Sequence, residues 1–327
     1  MSLQDPSEDR FVASAATPNA GWERAAIEKL LLAQVREQTA VRRWKVFFRL
    51  AWLVLVCAAL WWYFTGVEHT TGPGAAHTAV VQIRGPIDSA SETSAENMVS
   101  SLRSAFEEPT AQGIVLVIDS PGGSPVQAGI VHDEIVRLKA LHNKKVYAVV
   151  QETCASAAYY IAAAADDIYV DKASVVGSIG VLMDGFGFTG LMDKLGVERR
   201  LMTAGSNKAL LDPFSPLKEQ DKLYLQAMLD EIHGQFIDVV KKGRGERLKI
   251  TPDTFSGLVW SGQQAVNLGL ADALGNLDFV AREVVKAEEV IDYTYREHVG
   301  MRLARQFGAS VGEGLYKAAS LSGVAVR

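Results

Sequence analysis

The chain has two cysteines in 327 residues, Cys57 and Cys154, too few for a disulfide framework and silent about redox compartment. It has no marked excess of charge. A formal net charge of -5 gives no sign of a nucleic-acid partner. Internal repeats are absent, and nothing in the residue pattern points to a metal or a cofactor, so none is expected. The G-x-S-x-G turn of many serine hydrolases is missing too. What remains is an ordinary globular composition, 48% hydrophobic and 22% charged with 10 prolines, long enough for one large domain or two average ones. The information is therefore local.

The first local feature is the apolar run VFFRLAWLVLVCAALWWYF, Val46 to Phe64, broken only by Arg49. Nineteen residues at about 1.5 Å each match a bilayer core of about 30 Å. Arg36, Arg42, Arg43, Lys45 and Arg49 crowd its N-terminal side, and no Lys or Arg follows it until Arg84. The positive-inside rule then places the N-terminus in the cytoplasm and everything beyond Gly66 outside the cytoplasmic membrane. Trp61, Trp62 and Tyr63 would form the outer aromatic belt. A cleaved signal peptide fits poorly: about 45 residues precede the run, and bulky aromatics stand where small cleavage-site residues belong.

Residues 1 to about 21 are polar and read as disordered, and Gly21–Arg43 has the periodicity of a solvated juxtamembrane helix. Thr70–His77 reads as a linker. Strands and helices then alternate: strands at Ala79–Ile83, Gly113–Ile118, Lys145–Val150, Ile168–Val170 and Val197–Met202. Helices are expected at Ala95–Phe106, Val126–Leu141, about Ala155–Ala165, Lys218–Lys241, Ser261–Leu268 and Phe279–Glu289. Continuous apolar strands between helices predict an α/β fold with a sheet buried on both faces.

Three features bear on chemistry. Asp119-Ser-Pro-Gly-Gly-Ser124 follows an apolar strand, and Gly122 and Gly123 can turn bare N–H groups toward an anion. That suits an oxyanion hole, and it equally suits a plain strand-to-helix turn. Ser156, in Cys154-Ala-Ser-Ala-Ala-Tyr-Tyr160, sits at a strand-to-helix junction among small residues. There Oγ is either a nucleophile favoured by the helix dipole or an ordinary helix cap. A serine nucleophile needs a base, yet no histidine occurs between Ser156 and His233, which lies on a long amphipathic helix. A desolvated lysine can serve instead. Lys172 and Lys194 stand beside Asp171 and Asp193 and read as solvated pairs. Lys208 lies in a small-residue loop after an apolar strand, where burial is plausible. Spacing alone does not choose among the three.

Taken together, IDSPGGS at 118–124, ASAAYYIAAAADDIYV at 155–170, VGSIGVL at 176–182, the loop around Lys208 and VWSGQQAVNLGLADALG at 259–275 resemble the signal peptide peptidase SppA family (serine peptidase family S49) in its short, single-anchor bacterial form. The resemblance runs from about Ala79 to Glu289. It implies a Clp/crotonase-like α/β spiral behind one transmembrane helix. The chain then divides into a cytoplasmic segment (1–45), an anchor (46–66), a linker (67–78), a peptidase domain (79–290) and a C-terminal extension (291–327) that is partly mobile. By position, Ser156 matches the nucleophile, Lys208 the general base, Ser178 the serine that orients the lysine, and the glycine pair, chiefly Gly123, the oxyanion donor. Where the family usually has two glycines after the nucleophile, this chain has Ala157 and Ala158.

The expected activity is endopeptidase cleavage of residual signal peptides, or other apolar segments, outside the cytoplasmic membrane. The resemblance also implies a homo-octamer with sites built at subunit contacts, Ser156 and Lys208 lying in one chain. A histidine-modifying reagent is expected to do little. Three other readings are a SohB-like membrane protease with other substrates, a catalytically silent scaffold, and a crotonase-like acyl-CoA enzyme. The last has no need of an anchor or an outward-facing site.

Overall fold

The computed structural model of the chain describes residues 28–29, 42–59, 61 and 74–296. The chain divides after Pro73 into two compact units. In the first, residues 42–59 form helix α1, in which Trp44 stacks on Phe48 at 5.6 Å. Arg42, Arg43, Lys45 and Arg49 crowd its first half. Among the described residues no helix is long and apolar enough to cross a membrane. The expected span Val46–Phe64 runs past α1 into residues 62–64, which lie outside the described ones. So do the expected polar N-terminal segment, most of the Gly21–Arg43 helix and the tail beyond residue 296.

The second unit is a mixed α/β sheet with helices on both faces. Its strands are β1 (His77–Arg84), β2 (Ala111–Ser120), β3 (Val146–Ala155), β4 (Asp167–Val170), β5 (Val175–Gly177), β6 (Val259–Ser261), β7 (Ala273–Leu274) and β8 (Val290–Asp292). The sheet runs β6-β5-β3-β2-β1-β8, with β4 also on β3 and β7 on β4. Every pairing is parallel except β5 with β6. β3 forks: Tyr147–Val149 pair with β4, and Thr153–Ala155 pair with β5. That fork carries β3 past Val150, where the apolar run ends, and brings its last residues to the site described below.

The run GIVLVI in β2 explains the layering. Ile114, Leu116 and Ile118 point into the larger core, and Val115 and Val117 into the smaller one on the opposite face. A strand buried on both sides has to read as continuously apolar. Burying each such side chain is worth about 1.5–3 kcal/mol. The larger core is closed by α2 (Ala95–Glu107), α3 (Pro125–His142), α4 (Ala157–Ala162) and α6 (Glu219–Arg244), and the smaller by Leu277, Val280, Val284 and Val285. Capping chemistry sets the helix ends. Ser124 accepts from Gln127 N, Pro125 takes the first helical turn of α3, and Asn143 closes it in the left-handed region. Ser261 and Gln264 form a full capping box on α7 (Gly262–Leu268).

Ion pairs fasten the helices. Arg244, buried at the end of α6, donates Nη1 to Asp272 Oδ2 at 2.8 Å and Nε to Gly269 O at 2.9 Å. On α3, Glu134 accepts from Arg137 of the same helix and from Arg103 of α2, both Nε at 2.7 Å. The Arg137 hydrogen bonds, reinforced by Arg103, hold the Glu134 carboxyl down from its ordinary 4.5 to about 2. Because the folded-state value lies below the unfolded one, this pair stabilises fully above the ordinary carboxylate range. The contribution is lost as pH falls through that range toward 2. Thermal midpoints measured from pH 6 to pH 2 should therefore fall more steeply for the wild type than for Glu134→Gln. Parallel curves would contradict the assignment.

Two expected elements differ. Val197–Met202 is not a strand: residues 197–203 have no regular structure, and Val197, Leu201 and Met202 are exposed. Among the described residues no strand pairs with it, and its apolar side chains find no core to bury against. The expected helix Phe279–Glu289 is instead α8 (Leu277–Phe279) followed by a π-helical turn, Val280–Val285, ended by Lys286 at φ 62°. The sheet also reaches slightly beyond 79–290, since β1 begins at His77 and Tyr293 N donates to Val80 O.

Candidate active site

Ser156 stands between the last residue of β3 and the first of α4, with φ 53° and ψ -123°. It makes no capping hydrogen bond, so the helix-cap role is unfilled. A non-glycine residue in that conformation costs of order 1–3 kcal/mol, and such strain persists where the surroundings impose it. Here Ser156 N donates to Gly177 O at 2.8 Å, and Tyr160 N donates to Ser156 O at 3.0 Å. The sharp turn leaves Oγ at the wall of a cavity of about 850 Å³.

The DSPGG loop closes against this turn from β2. A Cβ on Gly122 (φ +100°) would stand 2.6 Å from Ala155 O, 2.7 Å from Ser156 Cβ and 2.9 Å from Ala157 N. Gly122 is therefore required both for its backbone conformation and for this approach. Its own amide is spent, donating to Ser120 Oγ at 3.1 Å. Gly123 has φ +152°, and Ile87 N donates to Gly122 O while Ser124 N donates to Ile87 O on either side of it. The amides of Gly123 and Ala157 make no hydrogen bond among the described residues. They are two unbonded donors on residues that line the cavity with Ser156, the kind of donor an oxyanion hole uses. Of the expected pair, only Gly123 leaves its amide unbonded, while Gly122 leaves the space the Ser156 turn occupies. The Ala157 amide went unnoticed in the sequence, because an alanine backbone carries no signature.

Ser178 joins Ser156 on the same cavity wall. It too is left-handed, at φ 51°, and its N–H donates to Leu258 O at 2.8 Å. The remaining wall includes Val126 and Ile130 of α3, Tyr160 of α4, and Ile232 and Phe236 of α6. α6 was legible as amphipathic, but which side of it faces the serine was not. Cys154, two residues before Ser156, is fully buried, and burial pushes its thiol well up, so it offers no thiolate here. The two alanines fit the turn: neither Ala157 nor Ala158 is in the left-handed region, and both are buried.

Lys208 stands outside this lining. It lies in an exposed turn, its N–H donating to Gly205 O at 3.2 Å, and it is not among the residues lining the serine cavity. A single chain thus brings Ser156, Ser178 and the glycine loop together without Lys208. The burial expected for its loop is absent, because the apolar strand that was to precede it does not form. The surrounding segment is unusually bare: α5 (Thr189–Leu195) has no buried residue, and Leu182, Phe186 and Met202 are 82%, 79% and 95% exposed. Arg199 pairs with Asp212 at 3.0 Å and lies 5.2 Å over the Phe214 ring, knitting this arm internally.

The chain is similar to several known proteins. Residues 139–291 match the model of peptidase family S49. The chain is 31% identical over 227 residues to a putative protease of Methanocaldococcus jannaschii, covering 66% of this chain and 72% of that one. It is 29% identical over 203 residues to a putative signal peptide peptidase SppA of Enterococcus faecium, 62% of this chain and 59% of the relative. A Na(+)/H(+) antiporter NhaA of Brucella melitensis is 49% identical over 176 residues, 54% of this chain. The chain spans only 24% of that antiporter's length.

Proposed function

The chain belongs to peptidase family S49, and on that premise we propose that it is a serine endopeptidase with Ser156 as nucleophile and Lys208 as general base. The observation that carries the reading is the strained Ser156 turn, with the bare amides of Gly123 and Ala157 beside it on one cavity wall. The fold behind it is read as the Clp/crotonase-like spiral of that family.

In this mechanism neutral Lys208 Nζ takes the Oγ proton as Ser156 attacks a peptide carbonyl. The carbonyl π pair moves to oxygen, where the Gly123 and Ala157 amides receive it. Collapse breaks the C–N bond, Lys208 returns its proton to the leaving amine, and water then hydrolyses the acyl-enzyme by the same route. Ser178 Oγ orients Nζ. A lysine acts as base only where burial disfavours its charged form. Since Lys208 is exposed and away from the serine cavity, we assign its cover, and its meeting with Ser156, to a neighbouring copy. The exposed apolar arm around α5 supports such assembly, because bare patches of this kind mark contact surfaces. This replaces the one-chain dyad expected from the sequence, while a ring of about eight copies remains the proposed form.

The substrate class proposed is an apolar peptide, such as a signal-peptide remnant, suited to a cavity walled by Val126, Ile130, Ile232 and Phe236. The Val46–Phe64 run is proposed as the anchor that holds the domain outside the cytoplasmic membrane. A fluorophosphonate probe followed by peptide mapping tests the nucleophile. An adduct on Ser156, absent from Ser156→Ala, is expected. An adduct on another serine, or undiminished labelling of Ser156→Ala, would overturn the assignment.

A further inference from the structure

We propose that His233 is a positioning residue, holding the Ser178 segment in its working geometry by donating Nε2–H to the carbonyl of Ile179. The two atoms are 3.0 Å apart. A backbone carbonyl only accepts, so its partner fixes the proton on Nε2. His233 sits on α6 between Ile232 and Gln235, both of which line the serine cavity, while His233 does not. Its role is thus to the loop and not to the reacting atoms.

The loop needs such a hold. Gly177 (φ +115°) and Ser178 (φ +51°) are two successive left-handed residues, and only the first is a glycine. A side chain in that region costs of order 1–2 kcal/mol, which neighbouring bonds have to offset. On one side Ser178 N donates to Leu258 O at 2.8 Å. Beyond it, the Ile179 side chain is fully buried, and its carbonyl accepts from no other group among the described residues. Without His233 that half-buried carbonyl is orphaned, and the turn keeps only its backbone bonds: Ser156 N to Gly177 O, Ser178 N to Leu258 O and the local Gly180 N to Ser178 O at 2.9 Å. Ser178 would then be free to rotate away from the lysine it orients.

The proton that makes this bond is present on neutral Nε2–H imidazole and on imidazolium alike, so acidification leaves it in place. An acylating reagent attacks the lone-pair nitrogen, here Nδ1, and the acylated ring then sheds its Nε2 proton to solvent, which removes the donor. A histidine reagent would therefore inactivate an enzyme in which no histidine reacts with substrate, reversing the expectation from the sequence.

This inference rests on the proposed roles of Ser156 and Ser178, and the test separates the two. Full-length wild type, Ser156→Ala, His233→Leu and His233→Gln are assayed on an apolar peptide, with thermal midpoints recorded. His233→Leu should lose about 10–100-fold in kcat with KM within about twofold, the range a small misplacement of catalytic groups produces. Gln, whose Nε2 can reach the same carbonyl, should recover most of that loss. Diethyl pyrocarbonate should inactivate the wild type and spare His233→Gln, which retains the other histidines. A wild-type kcat in His233→Leu overturns the inference, as does a loss confined to KM, or equal sensitivity of wild type and His233→Gln to the reagent. If His233→Leu fails to fold, the reagent comparison decides alone. An active Ser156→Ala would instead sink the nucleophile assignment and leave the His233 contact unjudged by turnover, to be read from the reagent's effect on probe labelling.

Discussion

Gly122→Ala is expected to lower kcat by at least about 10²–10³-fold, the cost of losing one oxyanion donor. The added methyl would stand 2.6 Å from Ala155 O and 2.7 Å from Ser156 Cβ, on a backbone at φ +100° that alanine resists. None of those neighbours is a flexible side-chain end: Ala155 O and Ala157 N are backbone atoms and the third is Ser156 Cβ. Relief therefore requires the DSPGG loop to retreat, carrying the Gly123 amide away from the incipient oxyanion. Because Gly122 O and Ser124 N bond to Ile87, the retreat also strains the bridge between this loop and the end of β1. Steady-state kinetics with a soluble peptide measure the effect. An unimpaired Gly122→Ala would show that the loop is not part of the site.

Ser156→Ala and Lys208→Ala should each cost about 10⁴–10⁶-fold in kcat, as removal of a nucleophile or its base does in serine hydrolases that act through a coupled unit. Their structural consequences should differ. Position 156 is held at φ 53°, where alanine is as strained as serine and glycine is not. Ser156→Gly should then be as inactive as Ser156→Ala yet melt at a higher temperature, the strain of about 1–3 kcal/mol having been relieved. Lys208 is exposed in the single chain, so Lys208→Ala should leave the monomer's fold unaltered. Circular dichroism melts alongside the kinetics check both statements. Equal midpoints for Ser156→Gly and Ser156→Ala would show that the turn is not strained.

Much of the frame was legible in the residues. Continuous apolar runs such as Gly113–Ile118 announce strands buried on both faces, and the helices expected at Val126–Leu141 and Ser261–Leu268 form as α3 and α7. What periodicity could not reveal was pairing. β3 continues beyond Val150 through Gln151, Glu152 and Thr153 because β5 lies beside it, and Val197–Met202 has an apolar run but no strand partner among the described residues. The same limit applies to the site. Glycine pairs advertise themselves, so the Gly122–Gly123 loop was found; the split of their roles depends on Ser120 Oγ taking one amide, which is a matter of geometry. The amide of Ala157 and the contact of His233 with Ile179 O are backbone relations that residue identity does not encode. Lys208 was selected by resemblance, and its environment depends on what covers the arm, which a single chain does not carry.

The account is tested most directly by mixing two inactive proteins. Ser156→Ala and Lys208→Ala chains are co-assembled in equal amounts from the full-length protein, and turnover of an apolar peptide is measured. If Ser156 of one copy works with Lys208 of the next, roughly a quarter of the sites in a mixed ring regain both groups, and activity of that order returns. If the mixed assemblies stay as inactive as their parents, Ser156 and Lys208 do not act together across copies, and the proposed site is wrong.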